Sequence, residues 1–134
     1  MENTYIVDAC TLLTLLNKGE GGHKEVFEFF VKNQEATWLI PIHGYIEVKR
    51  NELRRIQNGE EYIKIGHYKI HTKPYPLTES FLVETFNSIE KYVSLKGADL
   101  IYALIAEKEN IPIVTCDKGF KDYEDKIKVI YFKK

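Results

Sequence analysis

The chain has 134 residues, of which 44% are hydrophobic and 29% are charged, and this length allows one well-buried core but not two. We therefore predict a single domain spanning residues 1–134. The 19 Lys and Arg residues and the 20 Asp and Glu residues give a net charge of −1, which argues against a protein that holds nucleic acid by bulk positive charge.

The first half of the chain alternates between strand and helix patterns. A β-branched and aromatic run at residues 4–7 predicts a strand, and residues 10–17 have helical composition. Apolar side chains recur at helical spacing over residues 23–35, and the buried run at 37–40 predicts a second strand. A third helix is predicted over residues 42–57, and the pair Asn58-Gly59 directly after it is the stop signal.

The second half begins with the least regular segment of the chain. Alternating apolar and polar residues there predict a short half-exposed strand or extended loop that ends before Pro74. Good N-cap and C-cap residues bound two helices, predicted over residues 78–92 and 97–110. Residues 111–115 predict a buried strand, and the lysine-rich residues 128–132 predict a strand near a sheet edge.

The order of these elements predicts an α/β fold. Strands separated by helical stretches pair in parallel, and the helices then cover both faces of the sheet. The predicted architecture is a three-layer α/β/α sandwich with a central parallel sheet of four to five strands.

Four acidic residues that are far apart in the sequence can meet at one edge of this sheet. Asp8 directly follows one predicted parallel strand and Asp117 follows another after one intervening residue, so both should point into the crevice outside the carboxyl ends of the strands. Asp99 lies in the first turn of an apolar helix, and Glu47 lies on the polar face of the helix at 42–57.

The chemistry of such a set is that of a hard cation. Carboxylates within about 4 to 6 Å of each other raise one another's pKa unless a cation lies between them. Oxygen ligands without thiolates or paired imidazoles favour Mg²⁺ or Mn²⁺ over zinc. One or two such ions can activate water against a phosphodiester, so the acidic set predicts metal-assisted hydrolysis.

Several segments together resemble a known family. The runs YIVDACTLL, HGYIEVKR and KGADLIYALIAEKENIPIVTCDKGF, with the closing strand, are similar to PIN domains and in particular to stand-alone VapC-type toxins. The similarity covers nearly the whole chain, and residues 97–120 carry most of it. Each acid alone is weak evidence for membership of this family, but the four acids in this order are a fairly specific pattern for it.

The resemblance implies a PIN-like fold and a metal-dependent endoribonuclease, the toxin of a toxin-antitoxin pair, with Mg²⁺ or Mn²⁺ as its cofactor. It implies that the catalytic and metal-ligating residues are Asp8, Glu47, Asp99 and Asp117, with Asp8 and Asp99 as direct ligands. Thr115 would help to orient the pocket. The resemblance also implies an RNA substrate, for which transfer RNA is one candidate, a cognate antitoxin that blocks the site, and a homodimer.

The sequence departs from the family pattern at two positions. Cys10 stands where a small polar residue is common, and His43 stands where Ser or Thr is frequent. Both departures affect the hydrogen bonding around the acids and the metal preference.

Each acid also has an ordinary structural explanation. Asp8 can cap a helix, Asp99 suits the N-terminal end of a helix, and Asp117 can begin a turn before Gly119. Glu47 can pair with neighbours on a solvated helix face. A functional site is favoured because the structural explanations would require four unrelated residues to reproduce the family's ordered pattern by coincidence.

Basic residues near Glu47 are candidates for binding RNA. Arg50 and Arg54 share the helix face of Glu47, and their guanidinium groups can bind phosphates beside the metal site. An ordinary charged helix face is the alternative, and it is favoured for Lys49 and Arg55.

The cysteines and histidines do not form a metal-binding motif. Cys10 and Cys116 are too few and too far apart for a disulfide scaffold, which fits a reducing cytoplasm, and we expect them to be buried small hydrophobes. His67 and His71 are expected on one exposed face of an extended segment. No signal peptide or membrane-spanning segment is recognised, so we expect no membrane association.

Two other functions remain open. A PIN-like module that binds RNA or protein without catalysis would explain Cys10 and His43. A phosphotransfer enzyme of another α/β family would also use a strand-end aspartate, but Asp8 lacks the second aspartate that a D-x-D phosphatase needs and the acidic pair of a receiver domain.

Overall fold

The computed structural model describes residues 3–134. Within these residues one parallel sheet of five strands has the order β3-β2-β1-β4-β5. The strands are β1 (Thr4–Val7), β2 (Thr37–Pro41), β3 (His71–Tyr75), β4 (Ile113–Thr115) and β5 (Val129–Tyr131). This confirms the predicted α/β fold with a central parallel sheet.

Five α-helices connect and cover the strands: α1 (Ala9–Leu16), α2 (His23–Lys32), α3 (Ile42–Gln57), α4 (Glu79–Thr85) and α5 (Gly97–Glu109). Short 3₁₀ helices occupy Ile65–Tyr68, Phe86–Tyr92 and Lys118–Tyr123. In the part of the chain described here, no helix is both long enough and apolar enough to cross a membrane.

The sheet separates two hydrophobic clusters because successive residues of a strand face opposite sides. On β1, Tyr5 and Val7 belong to the cluster beneath α1 and α2, whereas Ile6 belongs to the cluster beneath α5. Ile6 and Val7 are fully buried. Helices therefore cover both faces, as a three-layer sandwich requires.

The order of the strands positions the site. From the central strand β1 the chain first adds β2 on one side and later adds β4 on the other, so the direction of strand addition reverses between β1 and β4. In open α/β sheets ligands bind at this reversal, beyond the carboxyl ends of the strands.

The irregular segment was predicted only in part: a half-exposed strand is present, but it spans His71–Tyr75 and does not end before Pro74. The strand β3 includes Pro74, and the preceding residues form a 3₁₀ helix that ends at Lys69 with a φ of 53°. Proline is tolerated because β3 is an edge strand that pairs only with β2. Tyr68 and Ile70 pack against the core around a turn, so their alternation did not mark a strand.

The predicted helix over residues 78–92 was partly wrong. Thr78 caps its start by accepting a hydrogen bond from the N–H of Phe81 at 3.1 Å, as expected, but the α-helix ends at Thr85 and continues as a 3₁₀ helix. The buried hydroxyl of Thr85 donates to the carbonyl oxygen of Phe81 at 2.8 Å. Such a bond to the preceding turn competes with regular helical geometry.

Candidate active site

Asp8 is the most buried of the four acids, with 2% of its surface exposed. It lies at the end of β1 and caps α1, because its Oδ1 atom accepts the N–H of Thr11 at 2.8 Å and the hydroxyl of Thr11 at 2.5 Å. Its Oδ2 atom accepts the hydroxyl of Thr115 at 2.5 Å. Capping and a role in a site are thus compatible, since the same side chain starts α1 and points towards β4.

Two threonine hydroxyls connect β4 and the residues after it to Asp8. The Thr115 oxygen accepts the N–H of Asp117 at 2.9 Å, and the Thr11 oxygen accepts the N–H of Cys116 at 2.9 Å. The parallel pairing of Val7 with Val114 brings these strand ends side by side. Thr11 was missed in the sequence, although the backbone N–H three residues after an N-cap aspartate is the one that such a cap accepts.

Burial raises the pKa of Asp8 above its ordinary value. The hydrogen bonds from Thr11 and Thr115 act in the opposite direction, and the negative charge of Asp117 adds to the rise. Because ionising a buried carboxyl group costs free energy, a cation beside Asp8 would stabilise its charged form strongly.

Asp99 lies half-buried in the first turn of α5. Burial raises its pKa to about 6, and a hydrogen bond with Asp117 and the negative charges of Asp117, Asp8 and Glu47 contribute in that order. The fold therefore brings three acids from distant parts of the sequence within electrostatic range of Asp99.

The side chains of Asp117 and Glu47 are more exposed than that of Asp8. Oδ1 of Asp117 accepts the N–H of Gly119 at 2.8 Å, so Asp117 starts the 3₁₀ helix over Lys118–Tyr123 as well as facing Asp99. Glu47 is exposed on α3.

His43 lies one turn before Glu47 on α3, beside the ring of Tyr102 at a centroid distance of 4.9 Å. Burial lowers the pKa of His43, whereas the charge of Glu47 acts to raise it. Both ring nitrogens of His43 are buried without a hydrogen-bond partner. Histidine here therefore adds an unsatisfied polar group next to the acids, where Ser or Thr was expected.

Tyr102 anchors the start of α1. Its hydroxyl accepts the N–H of Ala9 at 3.0 Å, and the side chain is 2% exposed. A Cβ atom on Gly44 would lie 2.8 Å from this hydroxyl and 3.2 Å from Cγ2 of Ile40, so glycine is required for α3 to pass this close. Tyr102 belongs to the core.

The four acids have no basic counter-charge in the described structure. None of the ion pairs formed among residues 3–134 includes Asp8, Glu47, Asp99 or Asp117. Over the same residues, no three His, Cys, Asp or Glu side chains are close enough together to hold a metal ion directly. The acids thus form a loose group rather than a compact cage.

This donor set fits a hard divalent cation. All four side chains offer carboxylate oxygens, and their mutual repulsion is relieved by positive charge. Mg²⁺ keeps several of its waters and is often held by one or two carboxylates, so a loose acidic group suits it better than it suits zinc.

The two arginines predicted to bind RNA are more exposed than the three aspartates of the acidic group. Arg50 and Arg54 are exposed on α3, and their side chains make no ion pair in the described residues. Thr115, by contrast, is fully buried and contacts Asp8 rather than solvent. The geometry makes Thr115 a residue that positions Asp8, and not one that a substrate could reach.

Comparison with known proteins gives one family match. The family profile described as "PIN domain" matches residues 5–126. A search of curated proteins found no significant match.

Two solved structures are similar to the chain in fold. The crystal structure of VapBC2 from Rickettsia felis, bound to a DNA fragment from its promoter, matches with a TM-score of 0.66 and 18% identity, over 97% of this chain and 99% of that one. The crystal structure of PAE2754 from Pyrobaculum aerophilum matches with a TM-score of 0.58 and 17% identity, over 96% and 84% of the two chains.

Proposed function

The chain belongs to the PIN domain family, and from this premise we propose that it is a Mg²⁺- or Mn²⁺-dependent endoribonuclease, the VapC-type toxin of a toxin-antitoxin pair. PIN domains are generally nucleases. The finer assignment is supported chiefly by one observation: the negative charges of Asp117, Asp8 and Glu47 all act on Asp99, whose pKa burial and these charges raise to about 6, and none of the four acids has a basic partner in the described residues.

In the proposed site, Asp8, Asp99, Asp117 and Glu47 would hold the metal, no more than two of them directly and the others through its bound waters. A bound divalent ion supplies charge neutralisation at the scissile phosphate and a water of lowered pKa. The chain itself orients Asp8, because Thr11 and Thr115 bind both of its oxygens.

The arginines extend the proposed site towards the substrate. Arg50 and Arg54 lie on α3, one and two turns beyond Glu47, and their exposed guanidinium groups are free to bind phosphates. We propose that they bind the RNA backbone next to the acids, which fits a chain whose overall charge is too low for binding by bulk attraction.

We also propose two protein partners, a cognate antitoxin and a second copy of the chain, in the cytoplasm. Exposed apolar side chains support a partner of some kind. One group lies along α3 (Ile42, Ile46, Leu53 and Ile56), and another lies on α4 and the residues after it (Leu82, Val83, Phe86 and Val93).

RNA cleavage by the purified protein tests the proposal. We expect cleavage of transfer RNA or total RNA with Mg²⁺ or Mn²⁺, loss of cleavage with EDTA, and loss in Asp8→Asn and Asp99→Asn. Asp122→Asn is a matched control, because Asp122 is exposed and lies outside the acidic group. Cleavage that persists with EDTA or in both variants, or no cleavage of any RNA, would contradict the proposal.

A binding module without catalysis is the second candidate. It is favoured by the unpartnered His43 and by the absence, in residues 3–134, of three ligands close enough for direct metal coordination. It predicts RNA or protein binding that is equal with Mg²⁺ and with EDTA, so the same preparations distinguish the two functions.

A further inference from the structure

The two cysteines lie beside two of the acids in the sequence, Cys10 two residues after Asp8 and Cys116 directly before Asp117. Cys10 is exposed in the first turn of α1, and Cys116 is buried directly after β4. Both are free thiols. The nuclease mechanism proposed above uses neither of them.

The fold brings these two residues close together although they are distant in the sequence. The N–H of Cys116 donates to the Thr11 hydroxyl at 2.9 Å, and Thr11 is the residue next to Cys10. The Thr14 hydroxyl donates to the carbonyl oxygen of Cys10 at 3.0 Å, and the Cys116 thiol also contacts the hydroxyls of Thr11 and Thr14. The Cys116 thiol therefore packs against the helical turn that begins at Cys10.

One ammonium group lies beside this pair. The ammonium group of Lys134 lies near the Cys10 thiol, and its positive charge acts on both Cys10 and Cys116. Lys134 is held there by an ion pair with Glu20 at 3.5 Å. The two thiols and the ammonium group of Lys134 thus form a small cluster next to the acids.

We propose that Cys10 and Cys116 are a redox pair, which low-molecular-weight disulfides of the glutathione class convert to an internal disulfide. The exposed Cys10 sulfur attacks one sulfur of the small disulfide, forming a mixed disulfide and releasing one small thiol. The Cys116 sulfur then attacks the Cys10 sulfur and releases the second small thiol. The protein thiols lose two electrons and two protons, and the two released thiols carry them.

The order of attack follows from exposure. Cys10 is open to a bulky disulfide, whereas Cys116 is only 8% exposed and can reach only a sulfur already bound to Cys10. The product joins the first turn of α1 to the end of β4 across the residues that hold Asp8. This inference concerns the thiols alone and does not depend on the nuclease function.

Mass spectrometry of the full-length native protein tests the pair. The protein is incubated with excess oxidised glutathione at mildly alkaline pH, because the thiolate is the attacking form in thiol–disulfide exchange. We expect a product two hydrogen masses lighter, without glutathione, that yields a linked Cys10–Cys116 peptide and is reversed by dithiothreitol. Its melting temperature should rise by several degrees, since a long loop is closed.

Two variants establish the order of attack. Cys116→Ser should accumulate a stable glutathione adduct on Cys10, and Cys10→Ser should stay unmodified over the same time. Four outcomes would overturn the proposal. The wild type could keep a lasting glutathione adduct on Cys10, form a cross-linked dimer or not react at all, or Cys10→Ser could react as fast as the wild type. Should a variant fail to fold, the wild-type product still decides between these outcomes.

Discussion

Thr115 binds Asp8 directly: its hydroxyl donates to Oδ2 of the carboxylate at 2.5 Å, and the same oxygen accepts the N–H of Asp117 at 2.9 Å. The side chain of Thr115, at the end of β4, thereby positions the carboxylate of Asp8, which follows β1, and the backbone amide of Asp117. A threonine can do this because a hydroxyl both donates and accepts.

Thr115→Val keeps the shape of the side chain and removes both hydrogen bonds. We expect a loss of about 1–3 kcal/mol in the free energy of unfolding, since a buried carboxylate loses a partner. Divalent-ion affinity should fall about 10- to 100-fold, because an unsupported ligand is less well oriented. Urea denaturation and Mn²⁺ titration measure the two effects.

Thr85→Val is the matched control for that substitution. Thr85 is equally buried, and its hydroxyl donates to the carbonyl oxygen of Phe81 in α4, away from the acids. It should reduce stability and leave Mn²⁺ binding unchanged. If both variants bind Mn²⁺ as the wild type does, Thr115 does not position a metal ligand.

Asp99→Asn should stabilise the protein when divalent ions are absent. Folding raises the pKa of Asp99 from 3.8 to about 6, so this carboxyl contributes stability at low pH that is lost as the pH rises through about 6. Asparagine removes the cost of burying the charge and the repulsion by the neighbouring acids, and the two together outweigh the favourable interaction of Asp99 with the N-terminus of α5. At neutral pH we expect a gain on the order of 1 kcal/mol, a value reduced for partial solvent exposure.

Urea denaturation in EDTA at neutral pH and near pH 4 measures this effect, since the difference should nearly vanish once wild-type Asp99 is protonated. Asp122→Asn, on the exposed surface, should show no such pH-dependent difference. An Asp99→Asn protein that is less stable than the wild type at neutral pH would show that the acids do not repel one another appreciably.

Gly44→Ala should destabilise the protein although alanine favours helices. Its Cβ atom would lie 2.8 Å from the buried Tyr102 hydroxyl, so the ring must shift and lose the N–H of Ala9. We expect a net cost of about 1–3 kcal/mol. In a Tyr102→Phe background the clashing oxygen is gone, and the same substitution should be closer to neutral. Equal costs in both backgrounds would place the strain at Ile40 instead.

Arg50→Ala and Arg54→Ala should weaken RNA binding without affecting folding, because both side chains are exposed and form no ion pair in the described residues. At low salt we expect a loss of about 5- to 10-fold for each variant, and a smaller loss at high salt. Fluorescence anisotropy with a short RNA measures the loss. Lys24→Ala, on the exposed surface of α2, is the control and should bind normally.

The fold class could be predicted because local patterns and global packing agree. The run at residues 4–7 and the helix at 42–57 were placed correctly, since their side-chain periods match the faces they bury. The prediction failed around Tyr68 and Pro74, where apolar residues pack around a turn and an edge strand accepts a proline.

The sequence by itself determined which chemical groups are available: four carboxylates, two of them at the carboxyl ends of parallel strands. Only the tertiary structure decided how they are held and charged. Thr11, Thr115 and Tyr102 act across distant parts of the chain, and burial raises the pKa values of Asp8 and Asp99. Periodicity reports the face on which a side chain lies, whereas hydrogen bonding and desolvation depend on distances between elements that adjoin only in the folded state.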